Sequence, residues 1–104
     1  MATSQEFKEI TLKRLSLLQG IGARKMMGEF LLYKDGVLFG GLYDNRLLVK
    51  IVNTNEKYGL PLALPYEGAK PMFLVETDDE QELKELILDT VKCLSNNKIK
   101  TKQS

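Results

Sequence analysis

The chain has 104 residues, of which 43% are hydrophobic and 28% are charged, and this is the size and composition of one globular domain. Its 15 basic and 14 acidic residues leave a net charge of +1, which provides no general attraction to nucleic acid or to an anionic membrane. Because the chain has no histidine, Ser/His/Asp hydrolysis, Cys/His catalysis and zinc sites are excluded.

The cysteine content and the N-terminus predict where the protein works. Cys93 is the only cysteine, so an internal disulfide is excluded and a reducing compartment is favoured. The polar start MATSQEF does not resemble a secretory signal, and no apolar run approaches the ~20 residues that a membrane span needs. We therefore expect a cytoplasmic protein without membrane contact.

The first predicted element is a helix near the N-terminus. Thr3 or Ser4 can act as its N-cap, and Glu6 in the first turn is stabilised near the positive end of the helix. Gly20 and Gly22 are expected to end it, because glycine adopts the left-handed conformation without steric cost. The apolar residues at roughly helical spacing are Phe7, Ile10, Leu15, Leu17 and Leu18.

A strand meander follows between Lys25 and Lys50. Its three apolar runs are separated by Asp35-Gly36 and Asp44-Asn45, which are typical of two-residue hairpin turns. Regular pairing outward from these turns assigns one apolar face to the core: Leu31, Tyr33, Leu38, Leu42, Leu47 and Val49. The opposite face then holds Phe30, Leu32, Lys34, Val37, Phe39, Tyr43, Arg46, Leu48 and Lys50.

Irregular structure is expected around and after the meander. Gly40 and Gly41 fall one on each face of the sheet, where they permit a bulge or the close approach of another element. Residues 52–58 are polar and favour a short helical turn, and two prolines then mark a long connection. Alternating apolar residues predict a fourth strand near Met72–Val75.

The second helix is the clearest element of the chain. Thr77 with Glu80 three residues later forms a capping box at its start, and Asn96-Asn97 can end it. Its apolar stripe is Leu83, Leu86, Ile87, Val91 and Leu94. Together the elements predict one two-layer α+β domain over residues 1–97, in which two helices flank an antiparallel sheet of about four strands. Residues 98–104 are expected to form a disordered, lysine-rich tail.

The apolar residues on the second face of the sheet predict an interaction surface. Two helices cover only one side of such a sheet, so the other side presents an apolar patch of the kind that marks interfaces. Alternatively, the connection Leu60–Tyr66 folds over this face and covers it within the monomer. The predicted interaction residues are Phe30, Leu32, Phe39, Leu48, Arg46 and Lys50.

The basic residues indicate a second function class. Arg24 and Lys25 flank the first strand, and the tail carries Lys98, Lys100 and Lys102, so weak nucleic-acid binding is the alternative to protein binding. Solvated charges are the more common reading of this pattern when no exposed aromatic residues are interleaved with it. No pair or triad of groups marks an active site, and no glycine pattern matches a nucleotide-binding loop. We therefore expect no enzymatic activity, no metal and no cofactor.

Two segments of the chain carry a family resemblance: RKMMGEFLLYKDGVLFGGLYDNRLLVK and LPYEGAKPMFLVE. They are similar to the N-terminal domain of the TfoX/Sxy family, the bacterial regulators associated with natural competence. The resemblance implies a two-layer α+β fold in a small cytoplasmic protein that works through protein contacts, as in the short, stand-alone members. The residues that follow the family's R-x-M-x-G, L-Y-x-x-G and D-x-R-L-x-x-K pattern are Arg24, Met26, Met27, Gly28, Tyr33, Gly36, Asp44, Arg46, Leu47 and Lys50.

These observations predict a non-enzymatic regulatory or protein-interaction module that binds a protein partner or forms a homodimer. If the second face of the sheet is the interface, Phe39→Asp disrupts self-association and leaves the secondary structure intact. Weak nucleic-acid binding through the basic residues remains the alternative.

Overall fold

The computed structural model describes residues 2–103, with side chains described for residues 2–95. Residues 2–103 form two α-helices, one 3-10 helix and six strands. In chain order the elements are α1 (Gln5–Arg14), β1 (Ile21–Met26), β2 (Glu29–Lys34), β3 (Val37–Leu42), β4 (Leu47–Val49), the 3-10 helix (Asn53–Tyr58), β5 (Leu62–Ala63), β6 (Met72–Val75) and α2 (Glu80–Gln103).

The six strands of the described residues form one antiparallel sheet in the order β1-β2-β3-β4-β6-β5. Leu15, Leu83 and Ile87, from the helical segments, pack against the same face of this sheet. The predicted α+β fold, with a helix before and a helix after an antiparallel sheet, is confirmed. β6 spans the residues predicted for the fourth strand, whereas β1 and β5 are additional strands at the two edges.

The N-terminal helix is shorter than predicted. Ser4 is its N-cap, since the Ser4 Oγ accepts a hydrogen bond of 3.0 Å from the Phe7 amide, and the helix ends at Arg14. Of the two glycines expected to end it, Gly20 adopts a left-handed conformation with φ of 76°, whereas Gly22 lies within β1. Glycine therefore ends the irregular segment after the helix and not the helix itself.

β1 is an edge strand whose sequence, IGARKM, has no apolar alternation. It pairs with β2 over all six of its residues, and Met27 and Gly28 form the turn between the two strands with φ of 52° and 84°. Five of the six residues of β1 are exposed, so the strand has no buried face that would produce a hydrophobic period in the sequence.

Both predicted hairpin turns are confirmed. Asp35 and Gly36 have φ of 50° and 83°, and Asp44 and Asn45 have φ of 54° and 57°. Positive φ at both central residues is the requirement of a type I′ turn. The flanking residues pair as predicted, Lys34 with Val37 and Tyr43 with Arg46.

A β-bulge changes the register beyond the Asp35-Gly36 turn. Leu32 and Tyr33 are consecutive on β2, but their partners on β3 are Gly40 and Leu38, so Phe39 is an extra residue in β3. The predicted regular pairing is wrong from this point. Because side chains alternate along a strand, a slip of one residue exchanges the two faces of β2 relative to β4.

The core face of the sheet therefore differs from the predicted one. Three side chains predicted to face outward are 5%, 0% and 0% exposed and pack in the core: Phe30, Leu32 and Phe39. Three side chains predicted for the core are half-buried on the other face: Leu31, Tyr33 and Leu38. The predicted core positions of Leu42, Leu47 and Val49 are confirmed.

The second helix begins at Glu80, but its cap is Asp79 and not the predicted Thr77. The Asp79 carboxylate accepts hydrogen bonds from the amides of Gln81 and Glu82, at 2.9 and 3.2 Å. The predicted apolar stripe packs on the sheet, with three fully buried residues and two partly buried ones: Leu83, Leu86, Ile87, Val91 and Leu94.

α2 continues through Asn96-Asn97 and ends at Gln103. Asparagine disfavours a helix interior only mildly, so this pair does not end the helix. The side chains from residue 96 onward lie outside the described residues. This holds for the predicted basic residues Lys98, Lys100 and Lys102, and the disorder expected for residues 98–104 stays a prediction.

The 3-10 helix occupies the segment for which a short helical turn is predicted, and Asn55 fastens it to its surroundings. The Asn55 amide nitrogen donates to the Lys50 carbonyl at 2.8 Å and to the Thr90 Oγ1 at 2.9 Å, while its oxygen accepts from the Val52 amide at 3.0 Å. Asn55 is fully buried, so this network replaces hydrogen bonds that water would otherwise provide.

Tyr58 and Asp89 form a second contact between the 3-10 helix and α2. The Tyr58 hydroxyl donates to the Asp89 carboxylate at 2.6 Å, and the Lys57 ammonium lies 3.2 Å from the same oxygen. The hydrogen bond from Tyr58 lowers the pKa of Asp89, against a raising effect of burial and with further lowering by Lys57. Burial and the bond to Asp89 raise the pKa of Tyr58 to about 12.

Tyr58→Phe is expected to lower the free energy of unfolding by about 1 kcal/mol near neutral pH, because one hydrogen bond to a charged group is lost. The pKa of Asp89 is lowered from 3.8, so its contribution is present above that pH and is lost as the pH falls through the folded-state pKa. The pKa of Tyr58 rises from 10.0 to about 12, so its contribution is lost across that alkaline range.

Urea unfolding of wild type and Tyr58→Phe over a pH series measures this difference, which should be largest between the two ranges. Tyr66→Phe is the control, since Tyr66 is an exposed tyrosine. A difference between Tyr58→Phe and wild type that does not change with pH contradicts the assignment.

Candidate interaction site

The face of the sheet opposite the helices, called the open face below, carries the candidate site. Leu31, Tyr33 and Leu38 lie half-buried on it. Leu48 lies on the same face but is fully buried. Its cross-strand partner Gly41 has no side chain, and in that space a Cβ would lie 2.7 Å from the Cε2 atom of Tyr43. The centre of the open face is therefore covered by other residues of this chain.

The connection Leu60–Tyr66 provides part of this cover. Arg46, which follows the Asp44-Asn45 turn, donates from Nη2 to the Leu64 carbonyl at 2.9 Å and from Nε to the Tyr43 carbonyl at 3.1 Å. The two bonds fasten the connection to the turn between β3 and β4. The sequence predicts either a second face that this connection covers or one that stays exposed. The structure combines the two alternatives, because the cover is confined to the centre of the face.

Tyr43, Pro65 and Tyr66 form a ridge across the open face, called the tyrosine ridge below. The ring centroids of Tyr43 and Tyr66 are 6.4 Å apart at an interplanar angle of 53°, and Pro65 is buried. Burial raises the pKa of Tyr43, and the neighbouring Tyr66 and Glu29 raise it further. All three ridge residues line two separate grooves, one on each side.

The first groove, of about 770 Å³, combines exposed apolar side chains with acidic ones. Met27 is 93% exposed and Tyr66 is 65% exposed, and Met26 and Leu64 are also exposed. Its acidic residues are Glu29, Asp44 and Glu67. Arg46 is its basic residue, and its guanidinium is already bonded to two carbonyls.

The second groove, of about 640 Å³, has the opposite charge. Lys50 and Lys70 line it, and its described lining residues include no carboxylate. Leu38, Ile51 and Met72 contribute its apolar surface. The open face is thus divided by the tyrosine ridge into an acidic half and a basic half.

Met27 is the most unusual residue of the first groove. It occupies the first position of the β1–β2 turn with φ of 52°, a conformation that costs most residues other than glycine and asparagine about 1 kcal/mol or more. Its side chain is almost wholly in water. An apolar side chain at a strained and exposed position has no role in the stability of the monomer, which makes it a candidate for contact with another molecule.

Glu29 is bound within the chain and holds the N-terminal segment beside the first groove. One of its carboxylate oxygens accepts from the Thr3 hydroxyl at 2.7 Å and from the Asp44 amide at 3.0 Å. The Thr3 hydroxyl in turn accepts from the Asn45 amide at 3.1 Å, and the Thr3 amide donates to the Gly28 carbonyl at 3.0 Å. Two turn tips and the N-terminus therefore form one connected edge of the groove.

The predicted interaction residues divide into two groups. Phe30, Leu32 and Phe39 lie in the core and Leu48 is sealed under the ridge side of the sheet, so these four cannot contact a partner in the folded monomer. For Phe30, Leu32 and Phe39 the physical reason is the bulge at Phe39, which exchanges the faces. Arg46 and Lys50 do lie on the open face, one in each groove.

The predicted nucleic-acid residues are not brought together among the described residues. Arg24 and Lys25 are both exposed on β1, but as neighbours in a strand they point to opposite faces. The predicted interaction residues do not include Met26, Met27 or Tyr66. One signal in the sequence is Met-Met-Gly, in which a bulky apolar residue precedes a turn glycine, and the family pattern covers the same residues.

Neither a protein-family model nor a curated protein matches the chain. The resemblance to the TfoX/Sxy family therefore stays a prediction. Within residues 2–103, no helix is both long and apolar enough to cross a membrane. Within the same part of the chain, no group of three or more acidic or cysteine side chains is placed to hold a metal ion.

Proposed function

We propose that this chain is a non-enzymatic protein-interaction module that binds its partner through the open face of the sheet. Met27 carries the proposal, because a strained turn position holds a side chain that is 93% exposed. Met26, Leu64 and Tyr66 lie exposed in the same groove. Burial of each such side chain would contribute roughly 1.5–3 kcal/mol before the costs of association.

The proposal extends to a regulatory role in the cytoplasm. The resemblance to the N-terminal domain of the TfoX/Sxy family supports regulation through protein contacts. Four residues of the family pattern line the first groove: Met26, Met27, Asp44 and Arg46. The single cysteine supports a reducing compartment.

Met27→Asn is expected to affect stability and binding in opposite directions. Asparagine tolerates positive φ, so the free energy of unfolding should rise by about 1 kcal/mol, as measured by urea unfolding. Binding should weaken, because methionine supplies a flexible apolar contact that asparagine lacks. Affinity capture with immobilised wild type and Met27→Asn, followed by mass spectrometry, measures the second effect.

Ile10→Gln is the matched control, since Ile10 is an exposed apolar residue on α1 and lies outside both grooves. The control should retain every partner that wild type retains. Equal recovery of the same proteins by wild type, Met27→Asn and Ile10→Gln would place the interface elsewhere and would contradict the proposal.

Weak nucleic-acid binding is the second candidate function, and one observation favours it. Lys50 and Lys70 lie in the second groove beside Tyr43 and Tyr66, and cations next to aromatic rings are a pattern of single-strand binding surfaces. The acidic first groove on the other side of the tyrosine ridge works against a phosphate backbone that crosses the whole face. Protein binding is therefore the function that the geometry supports best.

A further inference from the structure

We propose that the partner of the open face is a second copy of this chain. The two copies are related by a two-fold axis that lies along the tyrosine ridge, in the plane of the open face. In this arrangement the first groove of each copy faces the second groove of the other. The inference rests on the proposed function, because it uses the same face, and it adds the identity and the orientation of the partner.

Charge complementarity is the main support for this arrangement. A two-fold interface uses the same patch on both copies, so a charged patch must be self-complementary after rotation by half a turn. The acidic groove holds Asp44 and Glu67, the basic groove holds Lys50 and Lys70, and the ridge lies between them. Rotation about the ridge places each pair of acids opposite a pair of lysines.

None of these four residues is satisfied within the described chain by an ion pair. The ion pairs among the described residues join Arg14 with Asp78, Lys34 with Asp35, and Lys57 with Asp89. Asp44, Glu67 and Lys70 are exposed, and Lys50 is half-buried. Their charges are therefore available to another molecule at little structural cost.

The apolar surface is arranged in the way that a self-complementary interface requires. Met27 and Tyr66 project from the edge and the ridge of the first groove, and Leu38, Ile51 and Met72 line the second groove. Each copy thus has a projecting apolar side chain and an apolar groove to receive one. Methionine adapts its shape to such a groove, since three of its side-chain bonds rotate.

Two opposite charge reversals test the arrangement, Glu67→Lys and Lys70→Glu. Both side chains are exposed, so neither change should disturb folding, which circular dichroism checks. In a homodimer of either variant the two facing pairs both become like-charged, so self-association should weaken about tenfold at low salt. In an equal mixture, every facing pair between a Glu67→Lys copy and a Lys70→Glu copy is again opposite in sign, and dimer formation should return.

Sedimentation equilibrium of wild type, of each variant and of their mixture measures this pattern, with Glu56→Lys as the control for net charge. Glu56 is exposed on the 3-10 helix and lines neither groove. A wild type that stays monomeric overturns the inference and leaves the proposed function to be decided by the Met27→Asn capture experiment. A dimer that neither charge reversal weakens would contradict the proposal that the two grooves face each other. Failure of the mixture to restore dimer formation would contradict it as well.

The same samples exclude the alternative occupant. A fluorescent single-stranded oligothymidylate added to wild type that has been diluted until it is monomeric should show no binding at low salt. Binding that falls steeply with salt and is lost in Lys70→Glu would assign the second groove to nucleic acid and would overturn the inference.

Discussion

Phe39→Ala should lower the free energy of unfolding by about 3–5 kcal/mol, the range for removal of a large buried aromatic side chain. Phe39 is 0% exposed and packs in one core with residues of the sheet and of both helical segments. Small domains have a total stability of about 5–15 kcal/mol, so this single change should bring the protein close to unfolding. Urea unfolding followed by circular dichroism measures the loss.

Leu38→Ala is the matched control, because Leu38 precedes Phe39 in the same strand but lies half-buried on the open face. Its loss should be about 1 kcal/mol, in proportion to the smaller apolar area that it buries. If Leu38→Ala costs as much as Phe39→Ala, the assignment of the two faces is wrong.

The same position distinguishes the regular register from the bulged one. With regular pairing Phe39 faces a partner, and Phe39→Asp produces a folded monomer. With the bulge it places a carboxylate among apolar side chains, where burial of an unpaired charge is not tolerated. We therefore expect Phe39→Asp to abolish folded secondary structure, and a folded Phe39→Asp protein would support the regular register.

The turns of the meander could be predicted because their signals are local. Asp35-Gly36 and Asp44-Asn45 require positive φ at two adjacent residues, and few residue types provide this. The predicted core positions of three residues are correct for the same reason: Leu42, Leu47 and Val49. Their register follows from the Asp44-Asn45 turn, and no bulge lies between that turn and these residues.

The register beyond Phe39 could not be predicted, because the bulge depends on contact between strands. Gly40 and Gly41 indicate that a bulge or a close approach is possible, but they do not state which residue is extra. β2 has apolar side chains on both of its faces, so either register buries large residues. The hydrophobic pattern, which usually decides the register of a strand, therefore does not distinguish the two registers. Because the register differs from the predicted one, the candidate site contains Met26 and Met27 in place of Phe30 and Phe39.

The edge strands were missed because they bury little surface. β1 is mostly exposed. β5, which lies between Pro61 and Pro65, is only two residues long. The groove edge formed by Thr3, Glu29 and Asn45 was equally hidden, since it joins residues that are distant in the sequence. Only Arg46 and Lys50 of the predicted interaction residues remain in the candidate site, because both follow the Asp44-Asn45 turn, where the predicted register holds.

Gly40→Ala should lower the free energy of unfolding by about 3 kcal/mol, the upper part of the usual range for overpacking. A Cβ at residue 40 would collide with the Leu48 carbonyl and lie 3.0 Å from the Val49 Cα, and both are backbone atoms of the neighbouring strand. Backbone in a paired strand cannot move aside as a flexible side chain does, so β3 and β4 must separate or the bulge must shift.

Gly22→Ala is the control that isolates this collision from the general effect of replacing glycine. Gly22 lies in β1 with no heavy atom within 4 Å of an added Cβ. Its replacement should leave stability unchanged or raise it by about 0.4–1 kcal/mol, because alanine restricts the unfolded chain. Urea unfolding of both variants measures the contrast, and equal effects at the two positions would contradict close packing at Gly40. Because Gly40 adjoins the bulge at Phe39, its small size is a condition for the register that buries Phe30 and Phe39 and leaves Met27 to the open face.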